Sequence, residues 1–85
     1  MFRWLQDLLL SSKQRRAILY TRRECHLCDV AAETLAQAGY TVELIDIDQQ
    51  PELRQKYDHD VPVVEIDGRI RFRGRVDPLL LKRLR

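Results

Sequence analysis

The chain has little cysteine, glycine or proline and no long apolar run, and each shortage narrows what it can be. Its only cysteines are Cys25 and Cys28, too few for a disulfide scaffold. They are also half of what a structural zinc site asks for, and the two histidines, His26 and His59, form no second close-spaced pair. Three Gly and three Pro in 85 residues exclude a disordered or low-complexity chain. No stretch reaches the roughly 20 apolar residues of a membrane span. A formal charge of only +2 gives no strong pull toward nucleic acid. What is present, 45% apolar and 33% charged residues, suits one compact domain around a single core.

Phe2, Leu5, Leu8 and Leu9 share one helical face, so residues 1–15 are expected to be a helical extension ahead of a domain spanning 16–85. Arg3, Gln6 and Asp7 interrupt the apolar run before it resembles an export signal. A reducing cytosol is therefore the expected setting, where a CxxC pair is more often catalytic than structural.

The pair sits at a junction. Ala17-Ile18-Leu19-Tyr20-Thr21 reads as a short buried strand, and Val30, Ala31, Thr34, Leu35 and Ala38 recur at helical spacing until Gly39. At a helix start, free backbone N–H groups and the positive end of the dipole favour a thiolate over a thiol, so Cys25 is the expected nucleophile. Cys28, one turn on and shielded by the helix, suits a resolving thiol. Two other readings stand beside this one: a metal or iron–sulfur carrier using Cys25 with a ligand from elsewhere, and a non-catalytic binding module.

Thr41-Val42-Glu43-Leu44-Ile45-Asp46-Ile47 alternates like a second strand. Asp48 is expected to cap a short helix that contains Pro51 and ends near Tyr57. Val61–Ile66 and Arg69–Arg73 flank Asp67-Gly68, a pair that favours a tight hairpin. Asp77-Pro78 then opens a last helix through Leu84. The predicted class is α/β, a four-stranded mixed sheet in the order β-α-β-α-β-β-α with helices on both faces. Arg69, Arg71, Arg73 and Arg75 recur every second residue, which predicts a row of charge on one face and Ile70, Phe72 and Val76 on the other. Such a row protects a sheet edge from pairing.

The order of elements, together with Thr21-Arg22-Arg23-Glu24-Cys25-His26-Leu27-Cys28 and Asp60-Val61-Pro62, resembles the thioredoxin fold, and within it the small glutaredoxin-like proteins. The resemblance implies thiol–disulfide oxidoreductase activity, a cis bond before Pro62, and a Val61 backbone free to pair with a peptide or glutathione. It assigns Gly74 and Asp77 to substrate contact. By their position alone, Arg22 and Arg23 ahead of the nucleophile are expected either to lower its pKa or to grip a substrate carboxylate, with Arg22 taken for the carboxylate and Arg23, together with a protonated His26, for the pKa. His26 and Leu27 stand where glutaredoxins usually carry Pro and Tyr, and Arg73-Gly74 replaces a Gly-Gly. The expected partners are a disulfide-containing protein or glutathione, with a reductase as electron donor. A monomer is expected, with no bound cofactor or metal, glutathione serving at most as reductant, and no membrane or nucleic-acid partner.

Overall fold

A computed structural model describes residues 15–84. The helical extension expected before the domain lies outside the described residues, except that Arg15 already belongs to the first strand. The elements are β1 (Arg15–Thr21), α1 (His26–Gln37), β2 (Tyr40–Asp46), a 3-10 turn (Ile47–Gln49), α2 (Pro51–Tyr57), β3 (Val63–Ile66), β4 (Arg69–Arg73) and α3 (Pro78–Arg83). They form one four-stranded sheet in the order β2-β1-β3-β4. β1 runs parallel to β2, with Leu19 beside Leu44, and antiparallel to β3, with Leu19 beside Val64. A parallel neighbour requires a crossover, and α1 supplies it.

The period of two along each strand sorts the side chains onto two faces. On one face Ala17 and Leu19 of β1, Val64 and Ile66 of β3 and Phe72 of β4 meet Ala31 and Leu35 of α1 and Leu81 of α3. On the other, Val63 meets Ile47 and Tyr57, with Tyr20, Leu53 and Ile70 packed around them. Burying a leucine such as Leu19 or Leu35 stabilises the fold by roughly 1.5–3 kcal/mol. Helix α1 is thereby fixed against the sheet, and its N-terminus is held at the sheet end where β1 and β2 finish. Gly39, with φ 93°, lets the chain leave α1 and donates to the Ala36 carbonyl at 3.0 Å.

Two expectations are corrected. The arginine row does not share one face: Phe72 pairs with Val64 but Ile70 pairs with Glu65, because a bulge at Arg71 shifts the register between them. Paired residues point the same way, so Ile70 joins the α2 side and Phe72 the α1 side. Arg73 stacks 5.7 Å over the Tyr57 ring on the α2 side, whereas Arg69, opposite Ile66, is on the α1 side. Asp48 is not the cap of α2 either. That position is Gln50, which makes no side-chain capping bond, while Asp48 lies within the 3-10 turn.

Candidate active site

After Thr21 the chain turns through Arg22, Arg23 and Glu24 and enters α1 at His26. Glu24 makes the turn with φ 56°, in the left-handed region that costs a residue with a Cβ about 1 kcal/mol or more. Cys25 is the N-cap, extended at φ −105° and ψ 97°. A cap's side chain normally accepts one of the unpaired N–H groups of the first turn, and here a sulfur does so. The Cys28 N–H donates to Cys25 Sγ at 3.1 Å. The same N–H and that of Asp29 reach the Cys25 carbonyl, each at 3.1 Å.

Cys25 and Cys28 are joined in a disulfide with their Cα atoms 5.2 Å apart, inside the usual span of about 4.4–6.8 Å. The two sulfurs differ in access. Cys25 is half-buried, whereas Cys28 is 2% exposed and turned inward. Opening the bond would leave a thiolate at Cys25 facing an aimed N–H and the positive end of a 12-residue helix. An accessible nucleophile with a shielded second thiol beside it can accept and then release a partner's sulfur.

Arg22 is placed by the register of the sheet. Thr21 lies opposite Asp46, so the next side chain emerges beside the turn that follows β2. Its guanidinium donates to both carboxylate oxygens of Asp48, at 3.1 and 2.7 Å, and to the Asp58 carbonyl at 2.7 Å, and pairs with the Asp58 carboxylate at 3.0 Å. These bonds hold the Asp48 carboxyl below its ordinary value. Arg22 was expected to take a substrate carboxylate. Its fork is instead spent on tying the redox loop to the 3-10 turn and to the end of α2.

Asp58 begins the loop that leads to Val61 and Pro62, and the Val61–Pro62 bond is cis, as the resemblance implied. Pro62 is buried, and its carbonyl accepts from the Gly74 N–H at 2.7 Å. Arg73 reinforces the same junction by donating to Asp60 at 3.1 Å. The structure thus gathers Cys25, Cys28, Arg22, Val61, Pro62 and Gly74 at one end of the sheet. Asp77 caps α3, its carboxylate accepting from the Leu79 N–H at 2.9 Å. His26 and Arg23 flank Cys25 in exposed positions and take part in no side-chain hydrogen bond or ion pair among the described residues. Beyond the cysteine pair, no group of three Cys, His, Asp or Glu side chains among the described residues is arranged to hold a metal ion.

Three features escaped the reading of the sequence. Asp48 and Asp58 are the acceptors of Arg22, and nothing in local spacing announces a pair 26 residues apart. Tyr20 donates to Glu65 at 3.0 Å under the α2 side of the sheet, and burial, together with that bond, pushes its pKa up to about 12. Leu27 and Val30 stay exposed although α1 has a filled inward face. For Val30 the sequence pointed the other way, since it recurs at helical spacing with Ala31, Thr34 and Leu35.

Comparison with known proteins places this geometry in context. Residues 16–84 match a glutaredoxin-like domain (DUF836). The chain is 34% identical over 83 residues to a Dictyostelium discoideum protein described as a glutaredoxin-like protein YDR286C homolog, covering 86% of this chain and 77% of that one. It superimposes with a TM-score of 0.71 on the X-ray structure of the structural-genomics target XcR50 from X. campestris, at 33% identity over 80% of this chain and 92% of the other. Oxidised thioredoxin from Plasmodium falciparum shares the fold, with a TM-score of 0.51 at 16% identity over 96% of this chain and 88% of that one.

Proposed function

The chain belongs to the glutaredoxin-like domain family and has a thioredoxin-like fold, and on that footing we propose that it is a thiol–disulfide oxidoreductase. The observation that carries the proposal is the cysteine pair itself: Cys25 is accessible, caps a helix and receives the Cys28 N–H on its sulfur, with Cys28 buried behind it.

In the reduced protein the Cys25 thiolate attacks one sulfur of a substrate disulfide. A Cys25–substrate disulfide forms, the substrate's S–S bond breaks, and the departing thiolate takes a proton from water. Cys28 then loses its proton and attacks Cys25 Sγ, which closes the internal disulfide and releases the second substrate thiol. The substrate gains two electrons and two protons, and the protein dithiol loses them. An external thiol donor returns the pair to the dithiol; in a cytosolic setting that donor is glutathione or a flavoprotein reductase. In this reading the Val61 backbone, next to the cis bond, pairs only with the residue adjoining the substrate's reacting cysteine, and the rest of the substrate chain runs beyond it. Arg23 and His26 contribute positive charge around Cys25, the latter only when protonated.

The test separates the two sulfurs. Incubated with a small disulfide, the reduced Cys28→Ser protein is expected to accumulate the mixed disulfide on Cys25, seen as a stoichiometric mass increase. Cys25→Ser is expected to form no adduct and to lose reductase activity. Equal activity in wild type and Cys25→Ser would refute the assignment.

A further inference from the structure

We propose that the disulfide reduced by Cys25 belongs to a polypeptide segment with apolar residues flanking its cysteine and a carboxylate nearby, and that this segment lies along the outer side of α1; the inference rests on the exchange reading above. A groove of about 350 Å³ opens at Leu27, inside the CxxC motif, and runs between α1 and the loop joining β4 to α3. Leu27, Val30 and Thr34 form one wall, and Val76 and Pro78 the other. Leu27 is 55% and Val30 46% exposed. Scattered exposed aliphatics need no explanation. These two are neighbours on the helix, begin within the redox motif and face a second apolar wall.

The groove does not stop there. A recess of about 240 Å³ shares Thr34 and Pro78 with it and reaches Gln37 and Ala38. From Leu27 to Ala38 a helix rises roughly 16 Å, the length of about five residues of extended chain. A five-residue segment fills that length better than a tripeptide does.

Charge supports the same choice. Among the described residues, Arg75 is the one charged side chain lining either recess, and it makes no ion pair with any other of them. Glutathione carries two carboxylates and an ammonium group and would find a single cation here, since Arg22 on the other side of the motif is held by Asp48 and Asp58. A chain with apolar side chains and one acid satisfies both the walls and Arg75.

The experiment uses the full chain, reduced beforehand and followed in single turnover. Three substrates carry the same coloured aromatic thiol in mixed disulfide: a five-residue peptide with Leu beside Cys and one Glu, its counterpart with Ser in place of Leu and Glu, and glutathione. Cys25 Sγ bonds to the peptide's cysteine sulfur, the S–S bond breaks and the coloured thiolate leaves, so its release reports the step. The Leu/Glu peptide is expected to react at least tenfold faster, at equal low concentration, than either other substrate, a span within reach of one apolar subsite. Val30→Gln, at an exposed helical position that tolerates glutamine, is expected to shrink that preference to within about threefold, and Arg75→Glu to slow the Leu/Glu peptide more than the Ser peptide. Equal rates on all three substrates, or a preference that survives Val30→Gln, would overturn the proposal while leaving the exchange reading intact. If no substrate releases its thiol, the exchange reading falls, and this inference with it.

Discussion

On the β2 side of the redox loop, Arg22 is gripped by Asp48 and Asp58, and each of its three guanidinium nitrogens is engaged. On the β4 side, Leu27 and Val30 are exposed and line an open groove whose other wall includes Val76, with none of the described residues packed between them. The two flanks begin five residues apart in the chain, yet one is closed by charge and the other left open and apolar. The difference teaches how a small domain divides its labour. Polar clamps made across the sheet tie the cysteine-bearing loop in place, and the proposed recognition surface is the one that the fold does not use for itself. Adjacent Arg22 and Arg23 make the same point at single-residue scale, since the first is pinned and the second is exposed, with no side-chain partner among the described residues.

The largest perturbation removes what both flanks stand on. Leu35 fastens α1 to the sheet and is fully buried. Leu35→Ala is expected to cost about 2–5 kcal/mol in urea unfolding, and a loss below 1 kcal/mol would mean that α1 is held by something other than this core.

Breaking only the closed flank should be milder. Arg22→Ala is expected to slow exchange at Cys25 by about tenfold through misplacement of the loop, on every substrate alike, because the open flank is untouched. Its effect on stability carries a pH signature. Asp48 titrates below its ordinary value in the folded protein and near 3.8 unfolded, so the clamp's contribution is present above the unfolded value and fades as pH falls through the folded one. The gap in Tm between wild type and Arg22→Ala should therefore narrow as pH drops from 6 toward 3. A gap that widens in acid would contradict the ion-pair account.

A smaller, stabilising change sharpens the comparison. Glu24→Gly relieves the left-handed backbone at φ 56° and is expected to add about 1 kcal/mol, offset in part by the freer unfolded chain. Chemical denaturation reads it directly, and a destabilised variant would show that the Glu24 side chain has a role the contacts do not reveal.

The smallest effect lies away from both flanks. Tyr20, raised from 10.0 to about 12, should ionise well above the ordinary tyrosine value in an ultraviolet titration, read as the difference between wild type and Tyr20→Phe. A pKa raised on folding gives stability that is intact below pH 10 and is lost as pH climbs through 12, so Tyr20→Phe should flatten that alkaline loss. Unchanged alkaline behaviour in the variant would remove Tyr20 from the account.

Much of this arrangement was legible in the sequence where the signal was local. The strand before Cys25, the helix after it and the Asp67-Gly68 turn each declare themselves within ten residues, and the resemblance carried the cis bond at Pro62. What failed was non-local. Asp48 has the look of an N-cap because it precedes Pro51, but the parallel register of β1 and β2 delivers Arg22 to it, and a bidentate charge pair outcompetes a cap. The alternation from Arg69 to Arg73 is unbroken in sequence, so the bulge at Arg71 leaves no trace until β3 fixes the pairing. Leu27 was noticed as a departure from the glutaredoxin pattern, but its groove needs the loop after β4, 47 residues away at Gly74, to exist at all.

Everything proposed for this protein depends on Cys25 and Cys28 forming a working redox couple. The most direct test is the reduction potential of the pair, measured by equilibrating the protein in graded glutathione buffers and counting dithiol, disulfide and glutathione adduct by mass. A reversible internal disulfide is expected between about −270 and −120 mV, the span of known oxidoreductases. A pair that forms no internal disulfide, or one that glutathione buffers cannot reduce, would contradict it.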